Sequence, residues 1–157
     1  EGLLFQPFGN GVERMLCNRH VGASFSDINL NVHTKAHLFR AVQEGIAFSF
    51  RYGLDIMREN GMQTKVVKAG KANMFLRKVF THAFVNTTGL TVELYNTDGS
   101  VGAALGAGIG LGIFEKPQDA FSKLELLETI HPDEEAMEKY EAVYQKWKNL
   151  LNSDLKE

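Results

Sequence analysis

Ala69, Gly70, Lys71, Ala72 and Asn73 follow a short β-branched run, and their types suggest a ligand site. A lysine directly after a glycine first suggests phosphate. A Walker loop, however, separates an earlier glycine from its Gly-Lys pair by a spacer and follows the lysine with Ser or Thr, so that several backbone N–H groups converge on one anion. The string KAGKAN has neither feature, so its spacing alone makes Lys71 a solvent-facing lysine. The small residues around it carry more information. Ala69, Gly70 and Ala72 leave main chain bare just past a predicted strand, where open α/β sheets bind flat or phosphorylated ligands, and Asn73 adds an amide.

Other polar groups offer less. His33 and His37 stand at metal-binding spacing near the start of a predicted helix, but no third ligand lies close in sequence, so a structural role is expected. His20, His82 and His131 are isolated and suggest no dyad. Arg40 and Glu44 have the spacing of a pair on a helix surface. Ser24, Ser26 and Asp27 lack a nucleophile elbow and an assigned histidine, which removes a hydrolase triad.

These residues must be held by a small set of elements. Residues 1 to 32, rich in Gly, Asn and Ser, read as loop with one short strand near Leu3 to Phe5. From Thr34 to Asn60, Phe39, Val42, Ile46, Phe50, Leu54 and Met57 recur every three or four residues, predicting one face of a long helix ended by Gly61. Gly45 and Gly53 inside it are costly unless another backbone packs close to them. TKVVKA predicts a strand, Asn73 the cap of a second helix with Leu76, Phe80 and Phe84 inward, and Gly89 its stop. LTVELY predicts another strand, and after the NTDG turn Ser100 is the expected cap of a third helix. Gly102, Gly106 and Gly110 form a stripe on that helix which implies tight packing. The alternation predicts an α/β domain with parallel strands joined by crossover helices. A C-terminal packing helix follows, with Met137, Tyr140, Tyr144, Trp147 and Leu151 aligned behind Pro132 and a run of acids.

A chain of 157 residues with 44% apolar and 23% charged residues suits one domain with a working core. A net charge of -2 and the lack of a basic stripe interleaved with aromatics argue against nucleic acid. The longest apolar run, VGAALGAGIGLGIF, is too short for a bilayer span, so no membrane is expected. A single cysteine, Cys17, cannot close an internal disulfide, and a cytoplasmic setting is the expectation. The opening at Glu1 without an initiator methionine reads as the interior of a longer protein.

Three strings in this order, AHLFRAVQEGIAFSFRYGLDIM, AGKANMFLRKVF and VELYNTDGSVGAALGAGIGLGIF, resemble the carboxyl-terminal domain of the FGGY carbohydrate kinases. Within that family they most resemble the xylulokinases. The likeness runs from about Gly2 through Leu151, and the opening PFGNGVER is similar to the family's Pro-aromatic segment with a Gly-Glu-Arg. The resemblance implies a partial actin-like ATPase, ribonuclease H-like domain that forms the nucleotide-binding portion of a two-lobed sugar kinase. It also implies ATP as cofactor, ATP/ADP and a sugar as partners, and magnesium with no ligand for it in this chain. The family's adenosine turn maps onto Ala69, Gly70, Lys71, Ala72 and Asn73, departing from it in Ala69 and in the bulk of Lys71. Gly102 and Ala103 would support the cleft from the third helix.

The sugar implied is D-xylulose, phosphorylated to D-xylulose 5-phosphate, with ribulose, glycerol and gluconate as alternatives. In the family the catalytic aspartate and most sugar contacts belong to an amino-terminal lobe that this chain lacks, so the chain alone is expected not to turn over. Parallel strands without antiparallel companions would expose sheet edges and favour a homo-oligomer. A noncatalytic assembly module built on the glycine stripe and the terminal helix is the alternative from another class.

Overall fold

The computed structural model describes residues 1–11 and 14–155. Val12 and Glu13, near the end of PFGNGVER, lie outside the described residues. Two strands open the fold, β1 (Leu4–Phe8) and β2 (Gly22–Ser26), paired antiparallel. β1 alternates inward Leu4, Gln6 and Phe8, whereas β2 is small, polar and largely exposed, and such a strand has no periodicity to betray it. The sequence reading accordingly missed β2.

The long helix α1 (Lys35–Glu59) has Thr34 as N-cap, Asn60 as C-cap and Gly61 beyond it at φ +86, as expected from the sequence. Its inward face is not the expected one. Ala41, Gly45, Ala47 and Phe48 are buried, while Phe39 is 70% and Phe50 52% exposed. Close approach decides which side turns in, because a Cβ on Gly45 would stand 3.0 Å from the Phe5 carbonyl carbon. Gly53 meets no backbone, only the Met15 sulfur at 3.5 Å.

A second sheet has the order β3 (Val66–Gly70), β4 (Thr91–Tyr95), β5 (Leu126–Ile130). β3 and β4 are parallel and joined through α2 (Lys78–Thr88); β5 runs antiparallel to β4. The expectation of parallel strands alone is thus corrected to a mixed sheet, and β4 does have an antiparallel companion. β5 escaped detection because Leu126 and Leu127 are both about half exposed on an edge, with no alternation.

α2 buries Phe80 and Phe84 and ends at Gly89 in the left-handed region, but Asn73 does not cap it. A 3-10 turn, Asn73–Leu76, intervenes, Arg77 is the cap residue, and Leu76 is 59% exposed. Helix α3 (Gly99–Gly110) is capped by Asp98, whose carboxylate accepts from the Ser100 and Val101 N–H groups, so Ser100 is not the cap. A 3-10 turn, Pro117–Phe121, leads toward β5, and α4 (Glu134–Asp154) closes the chain with Asp133 as cap.

The core lies where α1, α2, α4 and β1 meet. Tyr144, Trp147 and Leu151 of α4 are fully buried, as their spacing predicted, and each large side chain so buried contributes about 1.5–3 kcal/mol. Trp147 also donates its indole N–H to the Phe5 carbonyl at 2.8 Å, fastening β1 to α4. A polar clasp lies beside it. Asp55 accepts from Tyr144 at 2.7 Å and Arg51 at 2.8 Å, the Arg51 guanidinium lies 4.9 Å from the Tyr144 ring centre, and Arg51 donates onward to the Thr87 carbonyl. Among the described residues no helix is long and apolar enough to cross a membrane.

Candidate functional site

The exits of the two parallel strands are tied together before anything else is built on them. Lys71 and Thr97 both donate their N–H groups to the Tyr95 carbonyl at 2.8 Å, and the Ala72 N–H closes a tight turn on the Gly70 carbonyl at 2.8 Å. Asn96 anchors the far side, donating its N–H to Glu125 O and accepting the Glu125 N–H on its side chain at 2.7 Å. With the exits pinned, a hollow of ≈ 580 Å³ opens just beyond the carboxyl ends of β3 and β4. Its floor is Ala69, Gly70 and the Thr97–Asp98 segment; one wall is Gly102 and Leu105 of α3, and the other is Gln118 and Phe121. Tyr95 and Lys68 complete the strand side, where Tyr95 donates to Glu93 at 2.7 Å and the Lys68 ammonium lies 5.8 Å from the Tyr95 ring centre.

The five residues singled out from the sequence are divided. Ala69 and Gly70 line this hollow, while Lys71 and Ala72 line a smaller one of ≈ 290 Å³ that shares Thr97 and Asp98 with it. Asn73 lines neither and sits at φ +50, a conformation that asparagine tolerates better than most residues. Lys71 is neither free nor simply solvated, since its ammonium pairs with Glu128 of β5 at 2.9 Å. Gly70 carries no open shelf on its Cβ side, which the Thr97 carbonyl covers.

The α3 N-terminus beside the hollow is already filled by an anion. Asp98 accepts from the Ser100 hydroxyl at 2.6 Å and from two backbone N–H groups, and these bonds, the hydroxyl's first, hold its carboxyl below the usual range. That end of the helix therefore does not offer its dipole to a phosphate. The glycine stripe does not pack as expected: a Cβ on Gly102, Gly106 or Gly110 would meet nothing within 4 Å. Only Gly108 of this helix is buried, against Phe114. Gly102 instead gives the hollow a wall without side-chain relief.

A larger hollow of ≈ 700 Å³ lies elsewhere, between α1 and α4. Its charges already answer one another, Arg40 with Glu44 at 2.8 Å and Lys139 with Glu135 at 2.6 Å. Tyr140 on its wall donates to Glu44 at 3.1 Å, and burial first, then the Glu44 charge, push its hydroxyl up to about 12. Glu1 and His82 also line this hollow, but these paired charges of α1 and α4 offer a ligand less than the apolar, strand-end hollow does. His33 and His37 serve local turns, accepting the Asn29 and Thr34 N–H groups on their Nδ1 atoms, and no group of three potential metal ligands comes together among the described residues.

Sequence reasoning missed Tyr95, Leu105, Gln118 and Phe121. The signal for the last two was Pro117 opening a short helical turn in which residues three apart share one face.

No protein-family model matches the chain. It is 33% identical over 125 residues to the L-xylulose/3-keto-L-gulonate kinase of Escherichia coli, covering 76% of this chain and 24% of that protein. It is 31% identical over 165 residues to a xylulose kinase of Staphylococcus epidermidis, covering 98% of this chain and 32% of the relative. In structure it matches the xylulose kinase of Rhodospirillum rubrum with a TM-score of 0.76 at 24% identity, over 97% of this chain and 30% of that one. The chain thus spans between a quarter and a third of the length of these proteins. The mixed sheet with its crossover helix α2 is the fold this chain shares with that solved structure. The chain belongs to the FGGY carbohydrate kinases, as part of their carboxyl-terminal domain.

Proposed function

We propose that this chain is the nucleotide-holding part of an ATP-dependent sugar kinase that converts D-xylulose to D-xylulose 5-phosphate, and that the adenosine lies in the hollow at the ends of β3 and β4. The observation that carries the reading is the position of that hollow. It stands outside the carboxyl ends of parallel strands, its volume of ≈ 580 Å³ suits a small ligand, and Gly102 on its surface, with nothing within 4 Å of its Cβ position, lets a flat ring approach main chain. Ala69 and Gly70 are the part of the adenosine turn that meets the base. Lys71, Ala72 and Asn73 form its outer edge, with Lys71 held toward Glu128.

The residues here do not fit magnesium as a cage of their own, because no cluster of three potential ligands forms among those described. The metal belongs with the phosphates, which is its usual manner of binding in phosphoryl transfer. What this chain contributes is position: binding the base, orienting the ribose and excluding water from one side of the cleft. The base that takes the sugar proton and the sugar contacts are assigned to the other lobe, so the chain alone binds without turning over.

Photolabelling the two-lobed enzyme with an azido-substituted ATP tests the site. Modification is expected in residues 68–73 or in the segment from Tyr95 to Leu124, and modification confined to other segments removes the assignment. A panel of D-xylulose, L-xylulose, ribulose, glycerol and gluconate, read as kcat/KM, tests the sugar, with D-xylulose expected first. A noncatalytic assembly role is the second reading, favoured by the uncharged α3 with Val101 exposed and by the exposed Leu111 and Ile113 just beyond it. ADP failing to bind the two-lobed protein would favour it.

A further inference from the structure

We propose that Asp98 holds the ribose of the nucleotide, its second carboxylate oxygen accepting from the ribose hydroxyls; this rests on the nucleotide reading above. Asp98 and Thr97 are the two residues that line both the larger hollow and the smaller one beside Lys71, so they form the rim between them. The Asp98 Cα lies 3.3 Å from the Cβ position of Gly70, where the exits of β3 and β4 meet. A nucleotide whose base fills the larger hollow, between Leu105 and Phe121, brings its next group to this rim.

The carboxylate is held in one orientation. Its Oδ1 accepts from the Ser100 hydroxyl at 2.6 Å, the Ser100 N–H at 2.9 Å and the Val101 N–H at 3.1 Å, whereas Oδ2 accepts from no described residue. The same bonds, the hydroxyl's first, favour the ionised form, so Oδ2 is an acceptor with no proton to give. Among the described residues Asp98 is also the one acidic residue lining either hollow. A fixed, charged acceptor sorts the parts of a nucleotide. Phosphate oxygens are themselves negative and are turned away, and a purine edge sets ring-nitrogen acceptors beside its amino group. The ribose offers two adjacent hydroxyls, each able to donate. Carboxylates near the strand exits of other nucleotide-binding α/β sheets take a ribose hydroxyl for the same reason.

Titrating the two-lobed enzyme by calorimetry with ATP, 2′-deoxy-ATP and 3′-deoxy-ATP decides the matter without knowledge of the sugar. The wild type is expected to bind ATP at least about tenfold more tightly than one of the deoxy forms, the worth of a hydrogen bond to a charged group. Asp98→Ser keeps a good cap but has no second oxygen, and is expected to bring that ratio within about twofold of one. Asp98→Asn also caps well and leaves only a neutral amide at the rim, so its ratio should fall between the two. A residue that merely caps α3 would weaken all three nucleotides alike and leave the ratio where it was. Leu105→Trp, filling the larger hollow from the α3 wall, is the companion variant. If it weakens ATP binding while the wild type fails to discriminate, or while both Asp98 variants keep the wild-type ratio, Asp98 does not hold the ribose and the nucleotide reading stands. If Leu105→Trp leaves ATP binding unchanged, the nucleotide lies elsewhere and both proposals fall.

Discussion

Gly70 lies directly under Thr97: a Cβ built on it would stand 2.9 Å from the Thr97 carbonyl carbon and 3.3 Å from the Asp98 Cα. Both neighbours are backbone and cannot rotate aside. The glycine is therefore required by the fold before it is required by a ligand, since it lets the exits of β3 and β4 meet. Gly70→Ala is expected to cost about 1–3 kcal/mol by forcing that loop outward, and to weaken ATP binding in the two-lobed enzyme through the displaced floor. Urea unfolding midpoints and nucleotide titration would show the two losses together. A Gly70→Ala protein of wild-type stability would contradict the contact.

Gly106 is the opposite case. A Cβ there would meet nothing within 4 Å, so the only consequence of Gly106→Ala within this chain is relief of the helix from glycine's entropy. Stability should rise by about 0.5–1 kcal/mol, seen as a higher melting temperature of the chain. A drop would mean that α3 is covered by a surface that leaves no room for a methyl group.

These two glycines also show what could be read from the residues. The strand ends, Gly61 and Gly89 as helix stops, and the buried Tyr144, Trp147 and Leu151 of α4 were legible because caps and periodicity are local signals. The inward face of α1 was not. It is chosen by Gly45 meeting Phe5 across a long loop; the glycine signalled a close backbone, but its partner, and with it the face that turns in, left no local trace, so the bulky Phe39 and Phe50 were misassigned to the core. The site divides in the same way: Ala69 and Gly70 were visible as a small-residue turn, while Gln118 and Phe121 reach the same hollow only through the tertiary fold.

Asp55 gives the clasp between α1 and α4 a definite pH dependence. Burial opposes its ionisation, but hydrogen bonds from Tyr144, Arg51 and Arg58 more than reverse this, and the carboxyl titrates below its model-peptide value of 3.8. Because the folded state binds the proton less readily, the stabilisation is complete above about pH 4 and is lost as pH falls through the depressed folded value. Tyr144→Phe removes one of those bonds and is expected to cost about 1.5–3 kcal/mol at neutral pH, as for a hydrogen bond to a charged group. The variant should also lose less stability than wild type on acidification below pH 4. Parallel acid-unfolding profiles for the two proteins would refute the assignment.

Lys71 and Glu128 supply the test that separates a wall from a ligand contact. Their side chains are 40% and 45% exposed and 2.9 Å apart, so the pair is screened, and breaking it should change stability by at most about 1 kcal/mol, less at high salt. If Lys71 serves only to tie the end of β3 to β5 across β4, Lys71→Met and Glu128→Gln remove the same interaction, and both should leave ATP affinity in the two-lobed enzyme within about fivefold of wild type. The charge-reversed pair, Lys71→Glu with Glu128→Lys, should then bind like the wild type. If instead Lys71 leaves Glu128 to meet a phosphate, Lys71→Met weakens ATP more than ADP, and Glu128→Gln, by freeing the ammonium, tightens both. The two substitutions would then move affinity in opposite directions, an outcome that a purely structural pair cannot produce.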